Sequence, residues 1–192
     1  VWCRRGVDGF RCDAGYKVPV PVWRYIAALV RQEFPDTVFF LEGLGGAWEA
    51  TEALLTTGGM QWAYSELFQN YDAASIRWYL DAAFAISQRS GPLVHFSETH
   101  DNLRLPSQPQ AGAEGDFALE ADRLPARARR WSVLRNRLCA LTSIAGGYAI
   151  TSGVEWLATE RVNVHSARGL AWGSADNIIP ELAALNRLLR DH

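Results

Sequence analysis

"GVDGFRCDAG", residues 6–15, decides how this chain is read. It is an apolar run that carries a cation and a carboxylate two residues apart, and it reads as a short buried strand. Alternation along a strand puts Arg11 and Asp13 on the same side. An arginine there would hold the aspartate ionised and fix its direction. An ionised, oriented carboxylate is what a nucleophile requires.

The same kind of segment recurs along the chain. Residues 37–43, "TVFFLEG", form a second strand pattern, 60–67 a third, 92–101 a fourth and 148–156 a fifth. Helical patterns separate them at 19–36, 46–59, 72–91 and 125–147, and 180–192 closes the chain. Pro19 and Pro21 stand at the start of the first helix, where a missing N–H matters least. Asp72 is the expected N-cap of the third helix and Gly91 its stop. Trp23, Ile26, Ala27, Val30 and Phe34 give the first helix its apolar spacing. Apolar strands that alternate with helices imply an α/β fold with a parallel sheet covered by helices. The stretch 106–126, rich in Pro, Gly and Ala, is a long loop after the fourth strand, to be read as a lid, a binding loop or a disordered segment.

Composition narrows the partners. The formal net charge is −2, so no electrostatic field recruits nucleic acid. The basic cluster at 123–137 reads as a solvated helix face. No run reaches the roughly 18 apolar residues of a membrane span. The three cysteines, Cys3, Cys12 and Cys139, lack metal or redox spacing and suggest free thiols in a reducing, cytoplasmic compartment. The chain opens on Val1 and on an interior-type strand, so an absent signal peptide carries no information.

Parallel α/β folds place chemistry at the carboxyl ends of their strands. Asp13, Glu42 and Asp101 are expected there. Any one of them alone reads as a helix cap or a loop acid; three on one face read as a site. Glu42 follows the apolar wall "TVFFL", which would keep a proton available for a leaving group. One carboxylate kept ionised and one kept protonated is the pairing that retaining glycoside hydrolysis uses.

On these residues the chain resembles the α-amylase superfamily, glycoside hydrolase family 13. "GVDGFRCDAGYKVP" is similar to the second signature region of that family, "FFLEG" to the third and "FSETHDNLR" to the fourth. "GGYAITSGVEW" resembles the last barrel strand. Pro19 and Trp23 after Asp13, together with "GMQWAYSELFQN", resemble the maltosyltransferase branch. The resemblance spans essentially the whole chain. It implies a partial TIM (β/α)8 barrel made of about the last five βα units, because the first region and three units find no match in 1–192.

The resemblance also implies roles. Asp13 would be the nucleophile, Glu42 the acid and base, and Asp101 the stabiliser of the transition state. Arg11 would position Asp13, and His100 would bind a sugar hydroxyl. Tyr16 and Lys17 stand where the family often has Lys-His; Lys17 reads equally as a solvated lysine. Among Tyr16, Trp48, Trp62 and Tyr64, no more than two are expected to stack on sugars, because core packing also uses aromatics. His95 and His165 read as structural. The implied substrate is an α-glucan or maltooligosaccharide, with water or a sugar as acceptor. No cofactor is implied, although calcium stays open for a complete barrel. An isolated chain of this kind is expected to be inactive and to self-associate through open sheet edges and an uncovered apolar face. The competing readings are a non-catalytic amylase-like binding module and an unrelated barrel acting on phosphorylated substrates, for which no Gly-rich phosphate loop is visible.

Overall fold

The computed structural model describes residues 1–69, 73–102, 104, 106, 138, 146–162 and 170–191. The helix expected at 125–147, the loop at 106–126, Asp72, Cys139 and His165 lie wholly or largely outside them. Strand β1 spans Gly9–Cys12, helix α1 Val20–Glu33, β2 Val38–Leu41, α2 Trp48–Thr56, β3 Trp62–Tyr64, α3 Ala73–Ser87, β4 Leu93–His95, β5 Gly147–Tyr148 and α4 Ile179–Asp191. The five strands form one parallel sheet in the order β1-β2-β3-β4-β5. From β1 to β4 the expected alternation of strands and helices is present, in an α/β fold.

The chain divides into two compact units, residues 1–95 with 145–147, and 96–144 with 148–192. In the first, β1 and β2 pair from Gly9↔Val38 to Cys12↔Leu41, and β2 meets β3 at Leu41↔Ala63. Cys12, Leu41 and Ala63 are buried at this level, alongside Leu54 and Leu55 of α2 and Met60. The opposite sheet face carries Arg11, Phe40 and Trp62 in register. In the second unit, Leu138, Val154, Ile178 and Leu182 form the core, with Ile150 and Leu185 packed against it.

Several boundaries differ from expectation. The strand expected at 92–101 ends at His95, so Asp101 stands in a bend beyond a strand rather than at its end. There the backbone bonds to side chains: Asp101 N–H donates to Thr99 Oγ1 at 3.1 Å, and Thr151 Oγ1 donates to the Glu98 carbonyl. The fifth strand is two residues long, followed by a 3-10 turn at Val154–Trp156. Gly91 does not stop α3, which ends at Ser87. Its reason is close approach, since a Cβ there would lie 1.7 Å from the Gln61 carbonyl oxygen. In α1, Ala27 is buried, but Ile26 is exposed together with Val22, Tyr25 and Leu29, an apolar stripe at helical spacing.

Candidate active site

Register places the two leading carboxylates. Cys12 pairs with Leu41, so Asp13 and Glu42 leave adjacent parallel strands at the same level. The ladder runs past them: Glu42 N–H donates to the Cys12 carbonyl and Gly15 N–H to the Glu42 carbonyl, both at 3.0 Å. Neighbouring strands lie about 4.8 Å apart. Arg11 Nη1 donates to Asp13 Oδ1 at 2.6 Å, the contact expected from their spacing. The Arg11 guanidinium also lies 5.6 Å from the centre of the Tyr64 ring. Burial opposes the Arg11 charge, but the Asp13 bond and the nearby Tyr64 and Asp13 charges hold its pKa above the ordinary value. The Asp13 side chain is 78% exposed, so the ion pair contributes at most about 1 kcal/mol to stability. Its effect is to aim a solvent-facing carboxylate.

Glu42 is buried and anchored at both oxygens. Ala14 N–H donates to Oε2 at 2.7 Å and Leu44 N–H to Oε1 at 3.0 Å. Beyond the apolar run that precedes it, the carboxyl sits in a backbone cradle, and each oxygen has a second lone pair. Ala14 adopts the left-handed region, with φ +42°. That conformation costs an L-residue roughly 1–2 kcal/mol. The strain falls on the residue after Asp13, and this geometry turns the Ala14 N–H onto Glu42.

The aromatic candidates separate. Tyr16 and Lys17 form a 3-10 turn at the carboxyl end of β1, with Lys17 Nζ 5.2 Å from the Tyr16 ring centre. Trp62 opens β3 level with Phe40, at the end of the strand away from Glu42, and its ring meets Phe40 edge-on at 6.0 Å. Tyr64, at the other end of β3, is the aromatic that meets Arg11. Trp48 packs on Trp78 and Tyr79 between helices. His95 is buried, with Nδ1 2.8 Å from Ser65 Oγ.

In the second unit, His100 Nε2 lies 3.3 Å from Asp101 Oδ2, and both side chains reach solvent. Among the described residues, no group of three or more His, Cys, Asp or Glu could hold a metal ion.

No protein-family model matches the chain, and no curated protein matches it. Solved structures do. An Anoxybacillus α-amylase superposes with a TM-score of 0.70 at 20% identity, over 99% of this chain and 41% of its own. The fold is that of part of an α-amylase-type barrel. An α-amylase from Lactobacillus plantarum gives 0.63 at 18% identity, over 98% of this chain and 45% of its own. A cyclic α-maltosyl-(1→6)-maltose hydrolase from Arthrobacter globiformis gives 0.63 at 17%, over 98% and 41%. The chain spans less than half the length of each of these proteins.

Within this amylase-type fold, sequence reasoning missed three charged residues. Glu98 and Arg104 form a buried ion pair, Arg104 Nε donating to Glu98 Oε1 at 2.5 Å and Nη1 to the Ser152 carbonyl at 3.0 Å. Among their polar neighbours nothing in the sequence marks these two; their burial does, because a buried charge needs a partner. Glu66, two residues beyond β3, accepts a hydrogen bond from Gly45 N–H. Its partner is a backbone amide, which no side-chain pattern announces.

Proposed function

We propose that the chain belongs to the α-amylase superfamily and supplies the nucleophile and the acid of a retaining enzyme acting on α-glucosidic bonds. The observation that carries this reading is the placement of Asp13 and Glu42 on adjacent strands at one level, with Arg11 bonded to Asp13. Retaining glycosidases use two carboxyl groups about 5–5.5 Å apart, close to the spacing of neighbouring strands.

In the first step, an Asp13 oxygen forms a bond to the anomeric carbon as the glycosidic C–O bond breaks, and Glu42 gives its proton to the leaving oxygen. In the second, Glu42 takes a proton from an incoming hydroxyl whose oxygen displaces Asp13, restoring both groups. Two inversions give net retention. Asp101 is proposed to stabilise the positive transition state, with His100 beside it on a sugar hydroxyl. Tyr16 and Lys17, at the mouth of β1, are proposed substrate contacts. Trp62 is also a proposed substrate contact, and Tyr64, whose ring centre lies 5.6 Å from the Arg11 guanidinium, is proposed beside it. α-Glucans and maltooligosaccharides are the proposed substrates, water or a second sugar the acceptor; the Arthrobacter globiformis hydrolase was solved with maltose bound.

The test uses the complete reading frame that encodes these residues. Maltooligosaccharide turnover followed by NMR should release products with the α-anomer first, and Asp13→Asn should abolish it. Initial β-anomer, or full activity in Asp13→Asn, would refute the proposal.

A further inference from the structure

We propose that Glu66 is a positioning residue for Glu42, acting through the turn that follows β2; this inference rests on the reading of Glu42 as the acid. Two consecutive amides of that turn diverge. Leu44 N–H donates to Glu42 Oε1 at 3.0 Å, and Gly45 N–H to Glu66 Oε1 at 2.5 Å. One turn thus hangs between two carboxylates. Gly45 has φ +78°, a conformation glycine adopts without penalty. The turn is closed by Gly46 N–H on the Gly43 carbonyl at 2.9 Å, and Gly46 lies close against the Tyr16 ring.

Glu66 is itself fixed from behind. Its backbone N–H donates to the Tyr79 hydroxyl at 2.7 Å, and Tyr79 is buried on α3. The preceding residue, Ser65, is buried and bonded to His95, and the Ser65 hydroxyl also accepts Leu67 N–H at 3.2 Å. Glu66 therefore projects from a rigid base in β3 and α3 to a turn that belongs to β2 and α2. A charged acceptor on a backbone amide is stronger than a neutral one. Without it, Gly45 loses its side-chain partner and the Leu44 amide is free to leave Glu42. A proton donor displaced by even 1 Å loses on the order of 100-fold in rate.

The experiment compares wild type, Glu66→Ala and Glu66→Gln in the complete reading frame. Two substrates are used: maltooligosaccharides, whose leaving group needs a proton, and α-maltosyl fluoride, whose leaving group needs far less help. Amide hydrogen exchange is read at Leu44 and Gly45, with Leu41 and Ala63 reporting that each variant is folded. Glu66→Ala should lower maltooligosaccharide kcat on the order of 10-fold to 100-fold with KM little changed, and spare the fluoride. Exchange at Leu44 and Gly45 should quicken. Glu66→Gln, whose amide oxygen still accepts the Gly45 N–H, should restore both readouts. Equal losses on both substrates, Glu66→Gln as impaired as Glu66→Ala, or unchanged exchange at Leu44 and Gly45 would each overturn the proposal. If wild type turns over neither substrate, the functional reading fails, and exchange alone then decides whether Glu66 holds the turn.

Discussion

Replacing Arg104 by Met should destabilise the second unit far more than loss of a surface ion pair would. Arg104 and Glu98 expose 0% and 2% of their side chains. Methionine keeps part of the aliphatic stem but leaves Glu98 buried without its cation and the Ser152 carbonyl without its Nη1 donor. Breaking a buried pair from one side costs roughly 3–5 kcal/mol. An exposed pair such as Arg190 with Asp191 contributes no more than about 1 kcal/mol. The assay is urea unfolding of the 192-residue chain followed by tryptophan fluorescence. Trp156 and Trp172, whose ring centres lie 4.6 Å apart, report on the second unit. The double variant Glu98→Gln with Arg104→Met should lose less than Arg104→Met alone, because the carboxylate charge that Arg104 balanced is then removed as well. A loss below about 1 kcal/mol for Arg104→Met, or a double-variant loss equal to the sum of the singles, would refute the reasoning.

Three further outcomes are expected. Glu42→Gln should slow substrates with poor leaving groups far more than activated ones, on the order of 100-fold or more, in steady-state rates on matched aglycones; equal losses would remove Glu42 as the acid. Burial pushes the Cys12 thiol up to about 11, above its ordinary value of 9.0. The neutral thiol is then favoured by folding, so its stabilisation is complete below pH about 9 and is lost as pH rises towards about 11; urea midpoints across that range should fall more steeply for wild type than for Cys12→Ala. The stripe Val22, Tyr25, Ile26 and Leu29 on α1 should make the 192-residue chain self-associate by light scattering, and Tyr25→Lys with Leu29→Glu should reduce it; a monodisperse wild-type monomer would contradict this.

The level of Asp13 and Glu42 was legible because it follows from strand alternation and from two apolar runs long enough to pair. The Arg11–Asp13 contact was legible for the same reason. Strand ends were not. The run through Asp101 opens on apolar Leu93, Val94 and Phe96, yet Thr99 and Thr151 side chains take up backbone groups beyond it, and the ladder stops at His95. Trp62 was singled out for its place near a strand end, and register shows which end, the opening of β3 level with Phe40. The cradle around Glu42 depends on a left-handed Ala14, and alanine gives no advance sign of that conformation. Glu66 reaches an amide 21 residues earlier in the chain, a relation that only the folded sheet creates.

The central claim is that Asp13 becomes covalently bound to sugar. The direct measurement is trapping with a fluorinated maltosyl fluoride, which slows the second displacement, followed by digestion and mass spectrometry of the complete reading frame. The peptide that contains Asp13 should gain the mass of one fluorinated maltosyl unit, and Asp13→Asn should gain none. A label on any other carboxylate, or turnover with no label while the β-anomer is released first, would contradict the account.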